Sequence, residues 1–494
     1  MSSHIPNGQT DNGRDAIIDM KGLHTGVPVS KQLVISTIST FLLFALTRLI
    51  PLDQYGETTS LALAFLVSMI AMIIFLPVNI ALKGIIVTLL GTALGFWDWS
   101  AIGSTFGSSS FLTIFGMLIV SMGCEFTQFG ARLAYFVLKR FGQKPKRMVF
   151  VLAIASACLS AFVSNVAVII MMSSICAEML SAMKQQPGSS NLGRTLMLTI
   201  PMAAIVGGMA LINGSPTGNT MAIQFMTNAA GGAYTVSYEQ WAVCGITCFV
   251  IMIIPMCVVY IGCFKLKNSD VEVLPEEYYA KLLADLGPIG GSEIRWLITV
   301  IAMVACMLSG MKTGVAALLF AAISMLPGIG TVPADKAIKK LPLSAMIAAG
   351  TMPLLSVLFS ETGLGDCMSD WITPLVIKSG PLGLSILSAL LVGVLVNVFV
   401  NANLAVSALV IGIVTPVCIR MGYNPTIIMM PTMFIASFFF VMGSHNIMLL
   451  NYGYGYWNMK DPIIPGFLVV LLCAVAFPVI CYFIGPIFGI DIFI

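Results

Sequence analysis

Charge is scarce in this 494-residue chain: Asp, Glu, Lys and Arg together make up 9% of it, and histidine occurs three times. With 58% of residues hydrophobic and a mean hydropathy of +0.98, too little polar surface remains for a water-soluble globule. The same scarcity excludes an intramembrane enzyme, because no HExxH-like pair and no nucleophile with a nearby base stands at membrane depth. A GxxxxGK[ST] loop is missing, which excludes nucleotide-driven pumping. CxxC spacing is missing too, so the 12 cysteines read as small apolar packing groups, with no disulfide framework, metal cluster or cofactor expected. Nor does the polar tail of residues 1–31 hold the apolar core of a cleaved signal peptide. Nothing points to a nucleic-acid partner.

What the chain has in quantity is apolar runs of roughly 17 to 25 residues, the length that crosses a ~30 Å hydrocarbon core as helix. These continuous runs exclude a β-barrel. The expected class is an all-α polytopic membrane protein with about eleven transmembrane helices plus two re-entrant hairpins. Spans are expected near 33–50, 59–77, 81–96 and 109–124, the last continuing as a basic amphipathic piece to Phe141. A hairpin at 147–183, a helix broken at 213–219 and a helix at 241–263 complete the first half, 32–263. A charged linker, 264–293, leads to the second half, 294–494. There, spans are expected at 294–309, 313–327 and 343–360, the last extended to Val376. A hairpin at 381–420, a helix broken at 443–446 and a helix at 463–488 follow. If the N-terminus is cytoplasmic, every Lys and Arg except Arg48, Lys312, Lys378 and Arg420 falls in an inside loop, provided both hairpins return to their own side. The C-terminus then lies outside a cell membrane.

The halves carry the same landmarks in the same order. Glu125 and Glu361, like Asn165 and Asn401, stand 236 residues apart. Each copy then has a proline read as opening another apolar helix, Pro201 or Pro431, and a polar break, at an offset of about 230. An odd number of crossings separates equivalent landmarks, so the copies are expected in opposite orientation. Interrupted hydrophobic segments at matching positions of two halves point to a secondary transporter whose substrate sits between them.

Four breaks carry the chemistry. Ser164-Asn165 is a polar tip between two apolar arms read as too short to span separately. An asparagine offers both an amide donor and a carbonyl acceptor, and the helix after the tip offers free amides and a positive dipole end. The second tip, Asn401-Ala402-Asn403, has two amides, of which Asn401 fits the offset. Asn213-Gly214-Ser215-Pro216-Thr217-Gly218-Asn219 packs glycine, proline and small polar groups into one stretch, which a buried helix accepts only if its backbone has another use. Its partner Gly443-Ser444-His445-Asn446 holds the one histidine within the apolar region, either a proton carrier, a fixed cation or a neutral hydrogen-bonding group. Glu125 and Glu361 read as helix-end carboxylates, and Gly91 with Gly95 as a GxxxG packing face.

At these residues the chain resembles the divalent anion:sodium symporter family of di- and tricarboxylate transporters. That family carries a Ser-Asn-Thr triplet at each tip and a Gly-Thr-Pro-Pro-Asn-like break. Here the tips are Ser164-Asn165-Val166 and Val400-Asn401-Ala402, the breaks begin at Gly214 and Gly443, and the asparagines match throughout. The turn at Glu361-Thr362-Gly363-Leu364 is similar as well. The resemblance implies a homodimer with scaffold and transport domains working as an elevator. It implies an organic anion, foremost a C4-dicarboxylate, held by Ser164, Asn165, Val166, Ser215, Pro216, Thr217, Asn401, Ala402, Asn403, Ser444, His445 and Asn446. A sodium ion is implied near Ser160, Ser164, Asn165, Gly208, Asn213, Gly214, Asn401 and Gly443. The tips depart from the family in lacking threonine, and His445 stands where a second sodium would lie, so sodium-independent or proton-coupled exchange stays open.

Overall fold

The computed structural model describes residues 29–494 apart from 270, 400, 401, 439, 440 and 444. Helices dominate, and one isolated bridge, Tyr423 with Phe493, joins extended backbone. Among the described residues ten helices are long and apolar enough to cross a membrane, and three shorter apolar ones accompany them.

The first half runs α1 (Val29–Thr47), α2 (Glu57–Phe75), α3 (Ile80–Ala93), α4 (Trp99–Phe106), α5 (Ser109–Glu125) and α6 (Phe129–Phe141). The hairpin arms α7 (Pro145–Ser160) and α8 (Asn165–Ala182) follow, then α9 (Asn191–Gly208), α10 (Pro216–Ala229) and α11 (Tyr238–Cys263). Local chemistry sets several starts. Asn79, Ser108 and Ser190 cap α3, α5 and α9 with side-chain oxygens, Ser237 and Gln240 form a capping box on α11, and proline opens α7 and α10.

Between the halves lies α12 (Glu276–Asp285), which packs on α6 and carries buried Tyr279, so the connection expected as a linker is folded against the first half. The second half repeats the order with α13 (Gly291–Leu308), α14 (Thr313–Met325), α15 (Ala334–Lys340), α16 (Leu343–Thr351), α17 (Leu354–Glu361) and α18 (Leu364–Val376). It ends with the hairpin arms α19 (Gly380–Val398) and α20 (Asn403–Arg420), then α21 (Pro425–Ile435), α22 (Asn446–Leu449) and α23 (Ile463–Ile487).

The halves interlock. α5 packs on α14 and α3 on α16, so each half lends a helix to the other's corresponding pair, while α11 packs on α23. Glycines permit both exchanges: a Cβ at Gly116 would strike the Ala317 backbone, and one at Gly84 would strike Thr351. Trp241, Phe434, Phe477 and Phe438 stack edge to face in the core where α11, α21 and α23 meet.

Several expectations need correction. Of the two arms beside Asn165 read as too short to span separately, α8 has the length and hydropathy to cross a membrane, as do α19 and α20 of the second hairpin. The runs read as continuous over 109–141 and 343–376 are broken, at Phe126–Gln128 after α5, at Met352–Pro353, and at Thr362 and left-handed Gly363. Gly95 lies beyond the end of α3 with φ of 80°, and Gly91 receives the ring of Trp97, so the GxxxG pair is a helix stop within the subunit. Pro201 and Pro431 stand inside α9 and α21, not at their starts. A mid-helix proline cannot donate to the carbonyl four residues back. For Pro201 that carbonyl is Met197 O, and Asn451 Nδ2 donates to it at 2.6 Å instead. Asn451 is fully buried and also donates to Ser173 Oγ of α8 at 3.1 Å, while its Oδ1 accepts from Trp457 Nε1 at 3.0 Å.

Candidate functional site

The first hairpin tip is fastened to the first helix break. Ser160 ends α7 and Asn165 begins α8, both buried, with Ser160 Oγ 2.7 Å from the Asn165 amide. With its NH2 turned toward the acceptors around it, Asn165 donates to Ala204 O at 3.2 Å and Gly214 O at 3.1 Å, tying the last turns of α9 to the break that follows. Two glycines make this approach close. A Cβ at Gly208 would collide with the Asn165 amide, and one at Gly214 would collide with Ser160 O. Side chains without a Cβ are therefore required here by contact, whatever the backbone angles.

The break itself runs from Met209 to Ser215, earlier than expected, and side chains take up its freed carbonyls. Asn219 Nδ2 donates to Gly208 O at 2.9 Å and Leu211 O at 3.0 Å, and Trp241 Nε1 donates to Met209 O at 2.8 Å. Asn213 Oδ1 accepts from Tyr238 OH at 2.8 Å. Pro216 then opens α10 without needing a donor, with Ser215 and Thr217 half-buried beside it. Asn219 Oδ1 and Thr220 Oγ1 are buried with no hydrogen-bond partner among the described residues. Buried oxygens left without donors, beside the backbone carbonyls of a helix break, are the donor set a hard monovalent cation takes.

In the second half Asn401 and Ser444 lie outside the described residues. Ala402 is buried and Asn403 starts α20, half-buried. His445 is buried and caps α22, its Nδ1 accepting from Ile447 N at 3.3 Å, whereas Asn446 is exposed. Gly443 faces Met459 O and the Trp457 ring. The fastening seen in the first half is performed here by a residue the sequence reading passed over. Asn397, buried in α19, donates to Phe438 O at 2.8 Å and accepts from Val441 N at 3.0 Å, bridging the second break as Asn165 bridges the first. Its third bond, to Gly393 O at 2.8 Å, is within its own helix. An asparagine four residues before Asn401, inside an otherwise apolar arm, was the available signal.

The two constellations meet. A Cβ at Gly218 would lie 2.7 Å from Ser437 Oγ of the second break, and α10 packs along α20. Beside the first tip opens a cavity of about 550 Å³, lined by Ser164, Val166 and Ala167 of the hairpin, by Ser121, Glu125 and Gln128 around the end of α5, and by Lys340. Lys340 Nζ donates to Glu125 Oε2 at 2.9 Å across its mouth and lies 5.0 Å from the Phe126 ring centroid. Glu125 therefore pairs with the other half of the chain and is not a helix cap.

The profile of the CitMHS family, described as citrate transporters, matches residues 62–406. A sodium-dependent dicarboxylate transporter SdcS of Staphylococcus saprophyticus is 21% identical, covering 88% of this chain and 93% of its own. Its namesake in Staphylococcus aureus is 22% identical over 79% of each chain. Among solved structures, MtrF of Neisseria gonorrhoeae, from a class of antimetabolite efflux pumps, superposes with a TM-score of 0.55 at 12% identity, covering 89% of this chain and 98% of its own. The YdaH transporter of Alcanivorax borkumensis gives 0.50 at 12% identity, covering 88% and 100%. The helical fold is thus shared with membrane transporters, and with its profile match spanning most of the interlocked helices the chain belongs to the CitMHS citrate transporter family, a multi-pass carboxylate transporter and not an enzyme.

Proposed function

We propose that the protein is a secondary active carrier of an organic di- or tricarboxylate, foremost a C4-dicarboxylate, coupled to sodium. The observation that carries this reading is the first tip bound through Asn165 to Ala204 O and Gly214 O, beside unpartnered Asn219 Oδ1 and a cavity that Ser164 and Val166 line. The tip offers an anion the first amides of α8 and the positive end of its dipole. Break carbonyls and Asn219 Oδ1 offer a sodium ion oxygen donors a few residues away. Loading the ion beside the anion site raises affinity for the anion, which is the physical content of coupling. The names of the staphylococcal relatives support both the dicarboxylate and the sodium.

The hairpins return to their own faces of the membrane in this reading, the N-terminus is cytoplasmic, and the hairpins with α9–α11 and α21–α23 form a transport domain that moves against a scaffold of the remaining helices in a homodimer. His445 favours a second reading. A buried imidazole beside the second break could take the place of a sodium ion, giving sodium-independent or proton-coupled exchange.

Proteoliposomes separate the readings. Labelled succinate, malate and citrate are offered with and without an inward sodium gradient, and with each acid preloaded. Accumulation that needs sodium supports symport, accumulation driven only by preloaded acid supports exchange, and no accumulation of any acid removes the carboxylate assignment. Asn165→Ala is expected to abolish uptake while leaving the purified protein monodisperse.

A further inference from the structure

A second candidate binding site lies outside the cavity beside the first tip and opens at the corner where α6 turns into α7. Leu133, Val137 and Phe141 of α6 face Phe150, Val151, Ile154 and Cys158 of α7 across an apolar groove of about 470 Å³, with Arg147 at one end. The groove is open to the outside: Phe141 is 51% and Ile154 41% exposed, and Cys158 is exposed. It uses a different stripe of α6 from the buried one, Gly130, Ala134, Tyr135 and Leu138.

Its charge is one-sided. Lys139, Arg140, Lys144, Lys146 and Arg147 cluster at the turn, and no Asp or Glu occurs between Phe126 and Ala177. Among the described residues none of these five cations takes part in an ion pair within 4 Å. The equivalent corner of the second half, where α18 turns into α19, carries the single cation Lys378. The repeat therefore does not dictate a basic corner.

Length selects the occupant. From Arg147 to Cys158 the groove follows α7 for roughly 16 Å at ~1.5 Å per residue, about half of a ~30 Å hydrocarbon core. A ligand anionic at one end and apolar for the depth of one leaflet is a phospholipid. We propose that this corner is a binding site for an anionic phospholipid, its phosphate on Arg147 and Lys144 and one acyl chain along the groove. Cationic residues flanking a membrane helix attract anionic headgroups, and the groove adds the shape that a bare charge cluster lacks. The lipid would sit between α6 and the first hairpin.

Native mass spectrometry of the purified full-length protein tests this, with added phosphatidylglycerol, phosphatidylcholine of the same chains, or glycerol 3-phosphate. Retention of phosphatidylglycerol at least 10-fold above phosphatidylcholine is expected, with no competition from glycerol 3-phosphate. The double variant Lys144→Gln, Arg147→Gln is expected to bring the two lipids within twofold of each other, and Ala155→Trp, which fills the groove floor, to lower retention of both. Succinate uptake and monodispersity report that each variant is folded; if Ala155→Trp is not, Ile154→Trp replaces it. Equal retention of the two lipids by the unaltered protein overturns the proposal. So does an unchanged preference in the charge variant, binding of glycerol 3-phosphate as strong as that of the lipid, or a change of oligomeric state in the groove variant, which would make this face a contact between copies.

Discussion

Asn165 and Asn397 are the side chains on which the two breaks hang, yet only the first stood out in the sequence. Asn165 sits beside a serine at an obvious polar tip. Asn397 is a single amide inside a valine- and leucine-rich arm, where an interhelical bond and a functional one look alike until its partners Phe438 and Val441 are known. Replacing Asn397 by leucine removes three hydrogen bonds and leaves Val441 N without this acceptor, a loss on the order of 2–3 kcal/mol. The thermal midpoint of Asn397→Leu in detergent is expected to fall by several degrees, and amide exchange to rise first in residues 436–446. Gly214→Ala tests the other side of the same packing. Its new methyl meets Ser160 O and the Gly208 backbone, and overpacking of this kind costs about 1–3 kcal/mol. Succinate uptake by Gly214→Ala is expected to be lost, and its recovery at unaltered rate would remove Gly214 from the site.

The amphipathic helices α6 and α18 are held at matching junctions by different chemistry. Arg132 of α6 pairs with buried Glu293 at 3.2 Å and donates to Gly287 O at 2.8 Å near the start of α13. Asp370 of α18 accepts from Tyr55 OH just before α2 and pairs with Arg420 at the end of α20. The Tyr55 hydrogen bond holds the Asp370 carboxyl below the usual carboxylate range, and the same bond pushes the Tyr55 hydroxyl up to about 12. A depressed acid stabilises the fold above its unfolded value of ~3.9 and loses that contribution as pH falls below it. A raised phenol contributes fully below ~10 and loses it as pH climbs toward 12. The stability gap between the unaltered protein and Asp370→Asn, followed by thermal unfolding, is expected to be constant from about pH 5 to 9 and to close below about pH 4. Element order and most element limits were legible, because long apolar runs and turn residues are local signals. The interruptions at Met352–Pro353 and Phe126–Gln128 were not, since hydropathy stays high through the first and the second holds no proline or glycine. Pro201 misled for a related reason: its tolerance inside α9 depends on Asn451, far away in the chain.

Neither half of this molecule is a separable body. Its duplication was readable from offsets alone, but offsets say nothing about which copy a helix packs on, and the exchange of α3 and α5 against α16 and α14 appears only in three dimensions. Gly116→Leu is expected to wedge α5 off Ala317 and lower the yield of folded protein severalfold, measured by size-exclusion fluorescence, whereas the same change at Gly103, which meets nothing within 4 Å, is expected to be tolerated. During synthesis the ribosome delivers α3 and α5 to the bilayer well before α14 and α16 exist. Until the last of these emerges, Gly84 and Gly116 lack the partners, Thr351 and Ala317, that they pack on in the finished fold. A polypeptide stalled after α12 would therefore sit in the translocon's neighbourhood as an orphan, open to quality-control proteases, however well each of its helices had inserted.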